Sequence, residues 1–180
     1  MLRALGAVAL LACALAPAAR AAPSCAGSLT RPTSADAAVA AQATLCLINE
    51  IRLAHRLQPL EANPHLAAVA ASQVRAMVNW DYFADVRPTG QTPLSLIATT
   101  GYGPRDAEIS VGQNIAWGTG GFSPPLHIVR EWMASAPHRA IILTAEFRDA
   151  GVAVEPALPR VLGAGSRGAT YAMEFAARRP

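Results

Sequence analysis

Histidine side chains are the residues of this sequence best suited to proton transfer or metal binding, because their ordinary pKa lies close to neutrality. The sequence contains four of them, His55, His65, His127 and His138. The first three fall near predicted helix ends, where a solvated or core-edge side chain is the usual finding. His138 differs, because it stands between a tryptophan-containing helix and the apolar run 140–143. It is therefore the histidine most suited to a chemical role.

No motif of a common enzyme class accompanies these histidines. The sequence has no glycine-flanked serine elbow, no zinc-protease helix, no phosphate-binding loop and no paired-cysteine zinc spacing. The glycine-rich segment 118–121 lacks the strand and helix that flank a nucleotide loop, so we interpret it as a surface turn. No serine or cysteine stands in a recognisable activating context. Motifs alone therefore assign no catalytic residue.

The first residues are typical of an export signal rather than of a folded element. A short positive start, the apolar run 4–15 and the small-residue site 19–21 predict a signal peptide that is removed after residue 21. Two alternatives stay open: an N-terminal anchor that is never cut, and a lipidated Cys13 at the end of the lipobox-like segment 10–13. No later run is apolar enough to predict a membrane span. We expect a secreted or periplasmic protein, or one lipid-anchored through Cys13.

Composition favours one folded domain without a nucleic-acid partner. The 180-residue chain is 52% hydrophobic and 15% charged, which excludes a disordered chain. The formal charge of +3 falls to +1 when the signal peptide and its two arginines are removed. A nearly neutral mature chain has no electrostatic footprint for nucleic acid.

The two cysteines of the mature chain predict a disulfide. Cys25 and Cys46 form an even set in an oxidising compartment, and their pairing would attach the N-terminal arm to the first helix. Closing this loop stabilises a folded chain by roughly 3 kcal/mol. Two buried free thiols are the alternative.

The elements that must position these residues follow from apolar spacing and helix-breaking prolines. We predict helices over 34–56, 63–80, 92–100 and 123–134, a helical turn over 137–143, and strands over 151–155 and 169–176. Ser34 is the predicted N-cap of the first helix, Gln73 a hydrogen-bonded polar residue at the core edge, and Trp132 a core residue. The segment 101–121 is assigned no regular element. Irregular alternation of helices and strands favours an α+β fold.

Several short segments together resemble a known family. They are LINEIR (47–52), QPL (58–60), DYF (81–83), VGQNIA (111–116) and the segment 132–143. In this order they resemble the bacterial branch of the CAP superfamily, also called SCP, which includes cysteine-rich secretory proteins, antigen 5 and pathogenesis-related proteins. The resemblance implies a three-layer α/β/α sandwich with a central antiparallel sheet. It divides the chain into a signal peptide (1–21), an arm with the start of the first helix (22–43) and a CAP domain (44–176).

The resemblance also implies a cleft, and this chain departs from the family there. Many members line the cleft with two histidines and two acidic residues that hold a divalent metal. Asp85 stands where bacterial relatives have a histidine, and Gln113 where they have the glutamate of Gly-Glu-Asn-Ile. Asn114 and His138 match the family pattern, while Met173 and Glu174 occupy the place where a glutamine usually precedes the final phenylalanine. We expect Asp85, Gln113, Asn114 and His138 to line the cleft.

These substitutions argue against a metalloenzyme. Zinc prefers imidazole, thiolate or carboxylate ligands, and an amide such as Gln113 is a poor ligand and no general base. We therefore predict no resident cofactor, and at most a weakly held divalent cation that prefers oxygen ligands. The predicted function is a secreted, non-enzymatic module that binds a ligand or a surface. The alternatives are a hydrolase that uses Asp85 and His138, metal-assisted or not, and a scaffold that keeps only the fold.

The expected partners follow from the resemblance rather than from composition. Family members suggest a lipid-like small molecule or a component of the cell envelope. We expect a monomer without a transmembrane segment or a nucleic-acid partner.

Overall fold

The computed structural model describes residues 25–103, 107–163 and 165–179. The predicted signal peptide, its cleavage site and Cys13 lie outside these residues. Within them the chain forms five helices, which are α1 (Ala37–Ala54), α2 (Pro64–Trp80), α3 (Pro93–Ala98), α4 (Pro125–Ala134) and α5 (Ala136–Ile142). Two short 3₁₀ turns, Gly120–Phe122 and Arg160–Leu162, complete the helical segments.

Local side-chain bonds set where the helices begin. α2 starts as predicted, because Asn63 accepts hydrogen bonds from the backbone N–H groups of His65 and Leu66. The prediction that Ser34 caps α1 was wrong. The carboxylate of Asp36 accepts a hydrogen bond from the hydroxyl of Thr33, which forms a turn before the helix, so Asp36 occupies the N-cap position.

Four strands form one sheet in the order β1-β3-β4-β2. They are β1 (Glu61–Ala62), β2 (Glu108–Thr119), β3 (Asp149–Glu155) and β4 (Gly168–Arg179). β2, β4 and β3 pair antiparallel, and the two residues of β1 pair parallel to β3. The expectation of no regular element over 101–121 was wrong, since β2 is a twelve-residue strand. Its glycines obscured the strand pattern. At Gly118 a side chain would collide with the carbonyl oxygen of Phe122, so the strand needs glycine there.

The sheet separates two helical layers. Alternate residues of β4, such as Tyr171, Met173 and Phe175, pack with α1, α4 and α5. The intervening residues Ala172 and Ala176 pack on the opposite side, against α2 and α3. This arrangement confirms the α+β class and the three-layer sandwich around an antiparallel sheet. It also assigns the side chain of each strand residue to one face of the sheet, and only candidate site residues on the same face can contact each other there.

The N-terminal arm is attached covalently to the first helix. Cys25 and Cys46 form a disulfide with a Cα–Cα distance of 5.7 Å, as predicted. The disulfide holds the start of the described chain against α1, and both cysteines pack with the hydrophobic core.

The end of α1 is fastened by a buried arginine. The guanidinium of Arg52 donates to the carbonyl oxygens of Gln58, Ile142, Thr144 and Phe147 at 2.7–3.1 Å. One carbonyl belongs to the turn after α1, and the other three to the last residue of α5 and the segment that follows it. One side chain therefore joins two parts of the chain that are about 90 residues apart in sequence.

Among the described residues, α1 is the helix that is long and apolar enough to cross a membrane. It contributes Leu47 and Ile48 to the core and packs against β3 and α4, so we interpret it as a core helix.

Candidate functional site

Two polar side chains meet on the α2 side of the sheet. Gln113 of β2 and Glu174 of β4 are direct partners across the strands, so both side chains point to the same face. The amide Nε2 of Gln113 donates to Oε1 of Glu174 at 2.6 Å. Glu174 is fully buried and Gln113 is 8% exposed. The centre of the candidate site is therefore a carboxyl–amide pair inside the protein.

The loop after α2 closes over this pair. Gln73 of α2 donates through Nε2 to the carbonyl oxygens of Ala84 and Asp85 at 2.9 and 3.3 Å. Arg87, which is also buried, donates to Oε1 of Gln73 and to Oγ of Ser72. Gln73 is therefore the hydrogen-bonded polar residue that its sequence position predicted, although it lies fully inside the protein.

We call this group the polar cluster. It consists of Gln73, Tyr82, Asp85, Arg87, Gln113 and Glu174. Burial raises the pKa of Glu174 to about 7, and the nearby Asp85 carboxylate acts in the same direction. The hydrogen bond from Gln113 and the charge of Arg87 lower this pKa in part. Burial likewise raises the pKa of the Tyr82 hydroxyl.

Two oxygens of the polar cluster are buried and have no hydrogen-bond partner among the described residues. They are Oε1 of Gln113 and Oε2 of Glu174. The hydroxyl of Tyr82 lies beside Gln73 and Arg87, whose side chains act on it as hydrogen-bond partners. An unpaired buried acceptor costs about 1–3 kcal/mol, so such groups normally find a protein, water or ligand partner. A ligand that donates hydrogen bonds would fit this set.

The other two predicted site residues contact each other from the opposite face of β2. Nδ2 of Asn114 donates to the backbone carbonyl of His138 at 3.2 Å. The imidazole Nδ1 of His138 lies 2.8 Å from Oγ of Ser135. Among the described residues, no hydrogen bond or ion pair joins Asp85 to His138. The structure thus brings Asp85 and Gln113 into the polar cluster, and it joins Asn114 to His138 at the start of α5.

Sequence reasoning did not identify Glu174, Tyr82 or Arg87 as site residues. A signal for Glu174 was present, because Met173 and Glu174 stand where the resembling family usually has a glutamine before the final phenylalanine. The strand register places Glu174 directly opposite Gln113, the other departure from the family pattern.

The ligand groups of the polar cluster do not fit zinc. They are carboxylate, amide and phenol oxygens, and the guanidinium of Arg87 adds a positive charge beside them. A different group, Cys25, Cys46 and Glu50, places three ligand-type atoms within 4.8 Å of one another. The disulfide between the two cysteines removes both thiolates from that group.

A second concave feature lies between α1 and α4. It is a groove of about 410 Å³. Its apolar lining consists of Leu47, Ile51, Ala54, Leu126, Val129 and Met133. Glu50, His55 and Arg130 add charged or titratable groups to it. Leu126 and Met133 of α4 are only partly buried, unlike Trp132 of the same helix, which lies in the core as predicted.

The raised pKa of Glu174 predicts a pH-dependent stability. The carboxyl binds its proton more tightly in the folded chain than at its ordinary pKa of 4.5, so its contribution is complete below that pH. As the pH rises from about 4.5 to about 7, we expect the free energy of unfolding to fall by about 3 kcal/mol. Urea unfolding across this range measures the slope.

Glu174→Gln should remove this slope, while replacing the exposed Glu61 with glutamine should retain it. An unchanged slope in Glu174→Gln would show that another group is responsible.

Comparisons with known proteins agree with this architecture. A family model, the cysteine-rich secretory protein family CAP, matches residues 45–157. The uncharacterized protein YkwD of Bacillus subtilis is 31% identical over 133 residues, which are 73% of this chain and 49% of that protein. The chain therefore spans about half the length of this curated relative.

Solved structures share the fold at lower identity. An extracellular SCP-domain protein of Bacillus anthracis superposes with a TM-score of 0.64 at 23% identity, over 81% of this chain and 44% of that one. An outer surface protein of Borrelia burgdorferi gives 0.61 at 17% identity, over 75% and 90% of the two chains. The family model covers more than half of the residues, and the sandwich is common to all of these structures. The chain therefore belongs to the CAP family of cysteine-rich secretory proteins.

Proposed function

We propose that this protein is a secreted CAP module that binds a lipid-like amphiphile in the groove between α1 and α4, without transforming it. The observation that carries the proposal is the groove itself, which is open, mainly apolar and about 410 Å³ in volume. Small-molecule pockets commonly have volumes of about 300–1,000 Å³ with apolar walls and a few polar groups. An aliphatic chain of moderate length suits this space.

The polar groups of the groove favour an anionic end group. Arg130 is exposed and forms no ion pair among the described side chains, and His55 is exposed at the end of α1. Both can meet a carboxylate or phosphate at the surface while the apolar tail contacts Ile51, Leu126 and Met133. Glu50 disfavours an anion near its own position, so we expect the end group to lie toward Arg130.

Binding rather than hydrolysis is supported by the arrangement of the candidate catalytic groups. Asp85 lies in the polar cluster, while His138 contacts Asn114 and Ser135 on the other side of β2. A general acid–base pair needs both groups within reach of one substrate atom. The hydrolase that uses Asp85 and His138 is the alternative function.

A fluorescent fatty acid tests the groove. We expect 11-(dansylamino)undecanoic acid to bind the mature protein with an increase in dansyl emission. Ala54→Trp fills the groove from an exposed position, and it should weaken binding about tenfold or more, since a blocked pocket loses its apolar contacts. Ala38→Trp, on an exposed part of α1 outside the groove, is the matched control and should bind like the parent protein.

Two results would contradict the proposal. One is the absence of binding in the parent protein, and the other is equal affinity in Ala54→Trp and Ala38→Trp. Hydrolysis of p-nitrophenyl butyrate that disappears in both Asp85→Asn and His138→Gln would favour the hydrolase instead.

A further inference from the structure

We propose that the α2 side of the sheet carries a second binding site, for an uncharged oligosaccharide, formed by Trp80, Trp117 and the polar cluster. Exposed aromatic side chains next to buried polar groups form a surface that can combine stacking with hydrogen bonding. Trp80 is 51% exposed and Trp117 is 41% exposed, whereas Trp132, the third tryptophan, is 1% exposed. The two exposed indoles lie on the side of the sheet opposite the groove between α1 and α4.

The tryptophans are continuous with the polar cluster. Gln113, Ile115 and Trp117 alternate along β2, so their side chains share one face and span about 13 Å. Ile115 belongs to the same apolar cluster as Met77 of α2 and Tyr82. The ring of Trp80, at the end of α2, stacks on Tyr82 with ring centroids 6.4 Å apart. Trp80 thus adjoins the polar cluster through Tyr82, and Trp117 adjoins it along the same face of β2.

The guanidinium of Arg87 connects Trp80 with the polar cluster. Its Cζ atom lies 5.9 Å from the centre of the Trp80 ring, and its nitrogens bond Gln73 and Ser72. The arginine thus holds the loop that covers Glu174 against the same tryptophan that would form the platform.

The available hydrogen-bonding groups select the ligand class. Gln113 Oε1 and Glu174 Oε2 are without partners among the described residues, and both accept hydrogen bonds when the carboxyl is ionised. A matching ligand must donate several hydrogen bonds while presenting flat apolar faces to the indoles. Pyranose rings do both, because their hydroxyls lie at the ring edge and their C–H bonds lie on the ring faces.

Charge and geometry favour a neutral sugar over a peptide. The positive Arg87 stands near the carboxyl groups of Asp85 and Glu174, so the cluster has little net charge to attract an ion. An apolar peptide would cover Trp80 and Trp117 but offers single backbone N–H donors, whereas a pyranose presents several hydroxyls along one edge. Because the two unpaired oxygens are buried, the exposed loop residues 84–86 must shift to admit a sugar hydroxyl.

Titration with cellotetraose and with the tetramer of N-acetylglucosamine tests the site on the folded mature chain. We expect at least one of them to bind by calorimetry and to quench the emission of the exposed tryptophans. Trp80→Ala and Trp117→Ala should each weaken binding about tenfold, since truncated aromatic anchors commonly cost this much. Tyr82→Phe should weaken binding less than either tryptophan variant, because it keeps the ring that stacks on Trp80.

Phe122→Ala is the matched control. Phe122 is an exposed aromatic residue that packs on His127, and its loss should leave sugar affinity unchanged. Absence of binding by both tetramers would overturn the proposal. So would sugar binding that is insensitive to Trp80→Ala and Trp117→Ala, or the binding of unstructured decapeptides through these tryptophans in place of the sugars. The dansyl-lipid titration uses different residues, so either result stands without the other.

Discussion

Replacing Arg52 with methionine is expected to lower the free energy of unfolding by about 3–5 kcal/mol, because the buried carbonyls of Ile142 and Phe147 lose their donor at about 1–3 kcal/mol each. The guanidinium is fully buried and donates to four backbone carbonyls. Methionine fills much of the same volume but leaves these carbonyls without a donor. Burial lowers the pKa of Arg52, and the charge of Arg148 acts in the same direction, so the side chain already bears a desolvation cost. The four hydrogen bonds offset that cost.

Arg148→Met provides a matched control for Arg52. Arg148 also donates to two backbone carbonyls, those of Ala145 and Phe147, but it is exposed to water. Its replacement should cost less than about 1 kcal/mol, because water can satisfy the released carbonyls. Urea unfolding followed by circular dichroism measures both variants. Equal stability losses would contradict the buried network as the cause.

Trp132→Ala is expected to lower the free energy of unfolding by about 3–5 kcal/mol, as large-to-small substitutions in cores do. The side chain is 1% exposed and packs in the largest hydrophobic cluster. Its Nε1 also donates to the carbonyl of Ile115 at 3.0 Å, which joins α4 to the edge strand β2. The substitution therefore removes both a large buried surface and a hydrogen bond across two layers.

Two further variants separate these contributions. Trp132→Phe keeps most of the apolar contact but removes the indole N–H, and it should lose less stability than Trp132→Ala. Trp117→Ala removes a tryptophan that is 41% exposed and should cost less than about 1 kcal/mol. A Trp132→Ala protein as stable as the parent would show that α4 does not pack as described.

The pairing of Gln113 with Glu174 across two strands explains why the candidate site was only partly predictable. Asp85 and Gln113 were identified because they depart from a family motif, and Glu174 departs from one as well. Seeing that Gln113 and Glu174 contact each other requires the strand register, and they are 61 residues apart in sequence. The segment around Gln113 had not been predicted as a strand, so no register could be derived there.

The faces of β2 limited the site prediction in another way. Gln113 and Asn114 are neighbours in the motif, and consecutive strand residues point to opposite sides of a sheet. Asn114 therefore contacts α5 while Gln113 contacts Glu174. The short motif that was interpreted as one site therefore contributes side chains to both faces of the sheet.

By itself, the sequence determined the features that depend on local spacing and residue chemistry. Apolar periodicity and prolines identified the helices and two strands, an even cysteine count predicted the disulfide, and motif order indicated the CAP family. These signals lie within a few residues of one another or rest on composition.

Only the tertiary structure decided which distant groups share an environment. It paired Gln113 with Glu174, buried Arg87 above them, and left a groove between α1 and α4. The physical reason is that a pKa, an unpaired oxygen and a groove depend on burial by elements far apart in the chain. Local sequence patterns specify each element, whereas packing of the elements specifies the water-excluded spaces between them.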